Sequence, residues 1–282
     1  MKIMVTGARG MLGRTLTRRF KEHELLGVDI DDFDITDAQA AEQAVSQFRP
    51  EVVIHCAAAT NVDDCQTNRD AAWEANVNGT ANIAEACAKS GARLIALSTD
   101  YVFSGESDRP YNEHDTTGPK TVYGTTKMLG EMAASKYCEN SMIVRVAWLY
   151  GPGGPSFVHT MLRLATEGTS PLRVVDDQVG NPTSTDAVAE HIKLLLEHPE
   201  ITGPVHLTCE GHATWCEFAS EIFLLSGLDC IPVPCSTGDF PRPAPRPANS
   251  QLDNLVLATH DLPPMPHWRQ ALEAFFRENP DG

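Results

Sequence analysis

The sequence predicts an α/β protein, a doubly wound parallel sheet carrying a smaller C-terminal lobe. Three observations predict it. Short apolar, β-branched runs alternate with helix-length stretches through the first half of the chain. The first of those runs breaks into closely spaced glycines that open a helix. The second half loses the alternation, and clusters of proline and glycine punctuate it.

Taken in order, Lys2 to Thr6 is the first strand, and a helix is expected from Met11 to Phe20. Leu25 to Asp29 is a second apolar run that ends in acid. Thr36 and Asp37 can cap a helix through Phe48, which Pro50 punctuates. Val52 to Cys56 is a third strand, and Asp70 to Lys89 reads as one long alanine-rich helix stopped by Ser90-Gly91. Arg93 to Ser98 and Met142 to Val146 are further strands, with a helix between them from Tyr123 to Tyr137. Beyond Gly151-Pro152-Gly153-Gly154-Pro155, helices are expected at Ser156–Glu167, Ser184–Glu197, Trp215–Ser226 and Trp268–Glu278. Pro232 to Pro247 is proline-rich; its spacing suits a polyproline ligand, or an ordered loop over a site.

Bulk properties exclude several classes. The chain has 282 residues, 42% of them hydrophobic, which fits one large folded domain or one domain with an added lobe. No apolar run approaches the roughly 20 residues needed to cross a bilayer, so no membrane association is expected. Met1 to Gly7 passes straight from strand to glycine turn without a secretory signal, and the chain is read as cytoplasmic. With 38 acidic and 22 basic residues the formal charge is −16, which argues against nucleic acid as a partner. Eight cysteines without a Cys-x-x-Cys pair are expected as reduced thiols. His206, Cys209, His212 and Cys216 have ligand types that suit zinc. They fall across a strand end and a helix start, with Thr214 as cap, and no metal is expected there.

Gly7, Gly10 and Gly13 form a Gly-x-x-Gly-x-x-Gly turn between strand and helix. Gly7 permits the tight turn, Gly10 lets backbone amides approach a pyrophosphate, and Gly13 lets helix and sheet pack closely. Arg9, Met11 and Leu12 complete the loop that faces the phosphates at the helix N-terminus. Residues 1–150 are therefore expected to form a Rossmann-type NAD(P)-binding core. Residues 151–282 would be mainly a substrate lobe, with some segments returning to the core. Asp29 closes the second strand, where a carboxylate meets an adenosine ribose, and this favours NADH. Arg9 and Arg14 suit the 2′-phosphate of NADPH, or merely a solvated helix start. Asp34 and Ile35 can border the adenine, and Ala57, Ala58 and Ala59 let the cofactor lie against backbone.

The chemistry falls on Tyr123 and Lys127, which share one helix face at i and i+4. A nearby ammonium is expected to lower the phenol's pKa toward working pH and to hold nicotinamide ribose hydroxyls. Thr99, at a strand end, can orient a reacting carbonyl. With Asn76 added, these residues resemble the Asn, Ser/Thr, Tyr and Lys set of the extended short-chain dehydrogenase/reductase family. Within it the chain is similar to the dTDP-4-dehydrorhamnose reductase group. The likeness rests on Ser98-Thr99-Asp100-Tyr101-Val102-Phe103, Val146 to Gly151, Asp177 to Thr183 and Arg246 to Asp253.

The resemblance implies a dTDP-sugar substrate whose C4 ketone is reduced with NADPH or NADH. It assigns substrate contact to Thr99, Asp100, Tyr123 and Trp148, and a diphosphate contact to Arg246; Gln178 and Asn181 would shape the adjoining loop. Read from the residues alone, Trp148 either walls the sugar site or packs in the core. The resemblance also implies a homodimer, which Mg2+ bridges in some members; no ligands for the ion are placed. Two other readings stay open. One is a nucleotide-sugar epimerase or dehydratase with tightly held, recycled cofactor, which stoichiometric cofactor consumption would separate; Asp100-Tyr101 in place of a glutamate disfavours the dehydratase. The other is a non-catalytic subunit like the regulatory subunit of methionine adenosyltransferase, which the intact Thr99, Tyr123 and Lys127 disfavour.

Overall fold

Strand and helix alternate through the first half. In the computed structural model, which describes residues 1–279, β1 (Lys2–Thr6) leads to α1 (Met11–Arg19) and β2 (Glu24–Val28) to α2 (Ala38–Phe48). Next come β3 (Val52–His55) and α3 (Val62–Thr67), a helix the sequence pattern did not reveal. Then α4 (Arg69–Trp73), a π-helical segment (Glu74–Gly79) and α5 (Thr80–Ser90) run on without interruption. The long helix expected over Asp70–Lys89 is thus present, but with a widened turn inside it. Then follow β4 (Arg93–Thr99), α6 (Val122–Tyr137) and β5 (Ser141–Val146).

The second half contributes β6 (Leu149–Tyr150), α7 (Phe157–Thr166), β7 (Arg173–Val175), β8 (Val179–Gly180) and β9 (Thr183–Ser184). It continues with α8 (Thr185–Leu196), β10 (Gly203–His206), β11 (Ala213–Thr214) and α9 (Trp215–Ser226). It closes with β12 (Val233–Cys235), α10 (Leu255–Thr259) and α11 (Trp268–Glu278). Local chemistry sets the helix starts. Asp37, Thr121, Ser156 and Ser184 each accept a first-turn N–H, and Thr214 with Glu217 forms a full capping box at α9.

Six strands form one parallel sheet in the order β10-β5-β4-β3-β1-β2. The chain reverses its direction of travel across the sheet between β1 and β3, and a crevice opens beyond their carboxyl ends. Both faces are covered. Ile3, Val5, Val52 and Ile54 face one core, and the intervening Met4 and Val53 face the other. Each such side chain, fully buried, contributes about 1.5–3 kcal/mol.

The first of these cores joins both halves of the chain, from Ile3 through Phe218 to Phe275. β10 adds the sixth strand from beyond residue 151, and the buried Arg93 guanidinium donates to the carbonyls of Leu195 in the last turn of α8 and of His198 and Ile201 after it. The proline-rich stretch is ordered: β12 pairs with β7, and Arg246 bonds Asp63 of α3. No helix among the described residues is long and apolar enough to cross a membrane.

Candidate active site

A cleft of about 930 Å³ runs from the glycine loop, along the carboxyl ends of β1, β3 and β4, to Trp148 and Trp215. At one end Gly7 adopts φ +67°, and a Cβ there would lie 2.7 Å from the Ala57 nitrogen. A Cβ on Gly13 would lie 2.2 Å from the Gly7 carbonyl oxygen. Loop, helix and sheet are therefore packed to backbone contact, as a dinucleotide cradle requires. The α1 N-terminus has neither a capping side chain nor an acidic residue in its first turn, so its amides are open to an anion.

Asp29 lines the cleft just past β2. Its Oδ2 accepts the Arg9 backbone N–H at 2.8 Å and its Oδ1 that of Ile30 at 2.9 Å. The Arg9 guanidinium turns outward and donates to Asp31 at 2.6 Å, so Arg9 does not line the cleft. Arg14 donates its Nε–H to the Arg9 carbonyl. Met11, Leu12, Asp34, Ile35, Ala57, Ala58 and Ala59 all line the cleft.

Asn76 stands behind that lining. Its Oδ1 accepts the Ala59 N–H at 2.8 Å, and its Nδ2 donates to the Ala59 carbonyl and to Thr126 on α6. The π-helical turn carries Asn76, so the widened turn and the alanine run are one unit. The structure gives Asn76 a positioning part: it joins the cofactor wall to the helix that bears Tyr123.

Tyr123, Lys127 and Thr99 converge on one wall of the cleft, all nearly buried. Lys127 donates to the Leu97 carbonyl at 2.7 Å. The Thr99 hydroxyl donates to Asp100 Oδ1 at 2.8 Å and accepts the Tyr101 backbone N–H, and it shares the cleft wall with Tyr123. The sequence predicts a lowered Tyr123 phenol; burial instead raises it above its ordinary value, with Thr99 opposing the rise. Burial also lowers Lys127 to about 8, opposed chiefly by Glu131. Burial pushes Asp100 up to about 6, and its Oδ2 has no hydrogen-bond partner.

Trp148 lines the far end with φ +45°, outside the usual region for a bulky residue. Its ring stacks on Trp215 at 3.4 Å between centroids, and its Nε1 donates to Ser250. Gly180 lies beneath it, where a Cβ would meet the indole at 2.4 Å. Sequence reasoning missed Trp215 as a site residue, because its place at a helix start says nothing of the ring opposite. Tyr101 was missed too; it lines the cleft edge-on to Tyr123 at 5.6 Å. Gln178 accepts from Trp215 Nε1, and Asn181 ties Cys209, Gly211 and Leu252 together.

Arg246 lies outside the cleft lining and is paired with Asp63 at 2.9 Å. His206 is fully buried and bonded through Nδ1 to the Asp253 carbonyl, while His212 is exposed. Among the described residues no group of three or more His, Cys, Asp or Glu side chains could hold a metal ion.

Known proteins match this arrangement along nearly the whole chain. The family model described as RmlD substrate binding domain matches residues 1–280. The dTDP-4-dehydrorhamnose reductase of Streptomyces griseus is 44% identical, covering 97% of this chain and 92% of its own length. The solved dTDP-4-dehydrorhamnose reductase of Clostridium acetobutylicum is 40% identical with a TM-score of 0.95, covering 99% of both chains. That of Bacillus anthracis, solved in complex with NADP, is 36% identical with a TM-score of 0.96, covering 98% of this chain and 99% of its own. A glycine cradle, a tyrosine–lysine wall and a tryptophan-lined end are thus joined to full-length similarity, and the chain belongs to the RmlD substrate binding domain family, among the dTDP-4-dehydrorhamnose reductases.

Proposed function

We propose that this chain reduces the C4 ketone of dTDP-4-dehydro-L-rhamnose to dTDP-L-rhamnose, using NADPH or NADH. The observation that carries the reading is the single cleft with the glycine cradle at one end and Tyr123, Lys127 and Thr99 on its wall. The names of the full-length relatives support the substrate, and the NADP-bound relative supports the cofactor class.

The cofactor, when bound, supplies hydride to the ketone carbon. Gly7, Gly10, Gly13, Met11 and Leu12 hold the pyrophosphate, Asp29 the adenosine ribose, and Asp34 and Ile35 border the adenine. Lys127 holds the nicotinamide ribose hydroxyls and places positive charge beside the developing alkoxide. Tyr123 donates its proton to that oxygen, and Thr99 orients the carbonyl. Asp100, Trp148 and Trp215 line the sugar end, and Arg246 meets the diphosphate after leaving Asp63. In this reading residues 1–150 chiefly hold the dinucleotide and residues 151–282 chiefly the substrate. Asp29, with Asp31 occupying Arg9, favours NADH over NADPH. The reading includes a cytoplasmic location, and the eight free cysteines suit it.

The test is cofactor oxidation with dTDP-4-dehydro-L-rhamnose as acceptor, the product identified by NMR. Tyr123→Phe should lower turnover by about 100-fold or more with the fold retained; near-normal rates in the variant would defeat the assignment. Stoichiometric consumption of cofactor separates a reductase from an epimerase that recycles it. Light scattering with and without a chelator tests the Mg2+-bridged homodimer, and a monomer under both conditions counts against it.

A further inference from the structure

We infer that Glu131 is a positioning residue for the Tyr123–Lys127 pair: clamped by Arg145 and Ser98, its carboxylate locks α6 onto the end of β4 and sets a negative charge one helical turn from the Lys127 ammonium. The inference rests on the proposal that Tyr123 and Lys127 are the reacting pair.

Two side chains one turn apart on α6 bond consecutive residues of β4: Lys127 donates to the Leu97 carbonyl at 2.7 Å, and Glu131 Oε1 accepts from Ser98 at 2.5 Å. Tyr123, one turn earlier, lines the cleft with Thr99. Residues at i, i+4 and i+8 share a helix face, so the two rungs fix the height and the rotation of α6 beneath the Tyr123 hydroxyl. Glu131 is the rung farthest from the reacting hydroxyl, and it is the most heavily braced. Arg145 of β5 reaches it through two bonds, Nε to Oε1 at 2.9 Å and Nη2 to Oε2 at 2.7 Å. Both side chains are less than one-tenth exposed.

Stability alone does not account for such a pair, because a buried ion pair is often matched or bettered by apolar residues of equal volume. Its location points to the neighbour one turn away. Lys127 is buried, and burial disfavours its charge. Of the groups around Lys127, the Glu131 carboxylate, one turn along the same helix face, is first in favouring the charge. His55 of β3 also faces Lys127 and is held neutral by burial, and burial pushes the Cys56 thiol after β3 up to about 12. Behind Glu131 stand Arg145 and His206 of β10, with Glu113 against His206. Arg145 and Ser98 hold the Glu131 carboxylate in place.

The test follows the Lys127 amine directly by lysine-selective 15N NMR across pH, beside the alkaline limb of kcat/KM. In Glu131→Gln, both are expected to move to lower pH by about one unit, the usual effect of losing a close opposite charge. A folded Glu131→Gln chain whose Lys127 titrates as in the wild type overturns the inference. A purely structural brace would lower the melting temperature and leave that titration in place. If the single variant fails to fold, the double variant Glu131→Gln with Arg145→Met leaves no lone buried charge. There the same downward shift supports the inference and an unmoved titration overturns it. The NMR readout needs no turnover, so a wild-type chain without ketone reduction would sink the proposed function while Glu131 is still judged by the titration.

Discussion

Replacing Asp100 by asparagine should make the protein more stable at neutral pH and less competent as a catalyst. Asp100 is 4% exposed at the end of β4, with Oδ1 bonded to Thr99 and Oδ2 without a partner. Burial raises its pKa from 3.8 to about 6, opposed first by the Thr99 hydrogen bond. The folded state thus holds this proton more tightly than the unfolded chain does. The stabilising contribution is fully present below about pH 4 and is lost as the pH rises through about 6. A rise of about two units corresponds to about 3 kcal/mol once the group is ionised. Asparagine fills the same space and cannot ionise. Urea unfolding of both ligand-free chains from pH 4 to 8 measures the effect, since bound cofactor would shift both curves. The stability difference should grow in the variant's favour by about 3 kcal/mol across that window. Parallel pH dependences would refute the reasoning, because the carboxyl would then titrate alike folded and unfolded. The same substitution alters a group that lines the cleft, so turnover should fall as stability rises, a trade expected where a site keeps an unpaired polar atom.

Two further outcomes follow from the cofactor end. Gly13→Ala places a methyl 2.2 Å from the Gly7 carbonyl and 2.7 Å from Ala8 Cα. It should destabilise the fold by about 1–3 kcal/mol and weaken NADH binding at least tenfold, read by cofactor fluorescence; unchanged affinity would contradict the cradle. Asp31→Asn releases the Arg9 guanidinium that Asp31 now holds. The ratio of KM for NADPH to KM for NADH should drop by roughly two- to fivefold, the scale of an exposed ion pair, and a constant ratio would remove Arg9 from cofactor selection.

Much of the fold was legible because its signals are local. Glycines that cannot carry a Cβ, caps such as Asp37 and Thr214, and apolar runs buried on both faces need only neighbours in the chain. The short helix Val62–Thr67 was illegible, since six residues between two turns leave no periodicity to read. The π-helical turn at Glu74–Gly79 was hidden for a related reason: it differs from an α-turn by one hydrogen-bond register, which composition does not encode.

The sequence by itself determined the α/β alternation, the glycine turn between β1 and α1, and the sharing of one α6 face by Tyr123 and Lys127, since each follows from local spacing. Only the tertiary structure decided that Trp215 stacks on Trp148, that Arg246 is held by Asp63, and that Asn76 braces Ala59 from behind. It alone decided that the Tyr123 phenol is buried, which raises it above its ordinary value. Those outcomes depend on desolvation and on partners far apart in the chain, and neither exists until the sheet has brought its strand ends together.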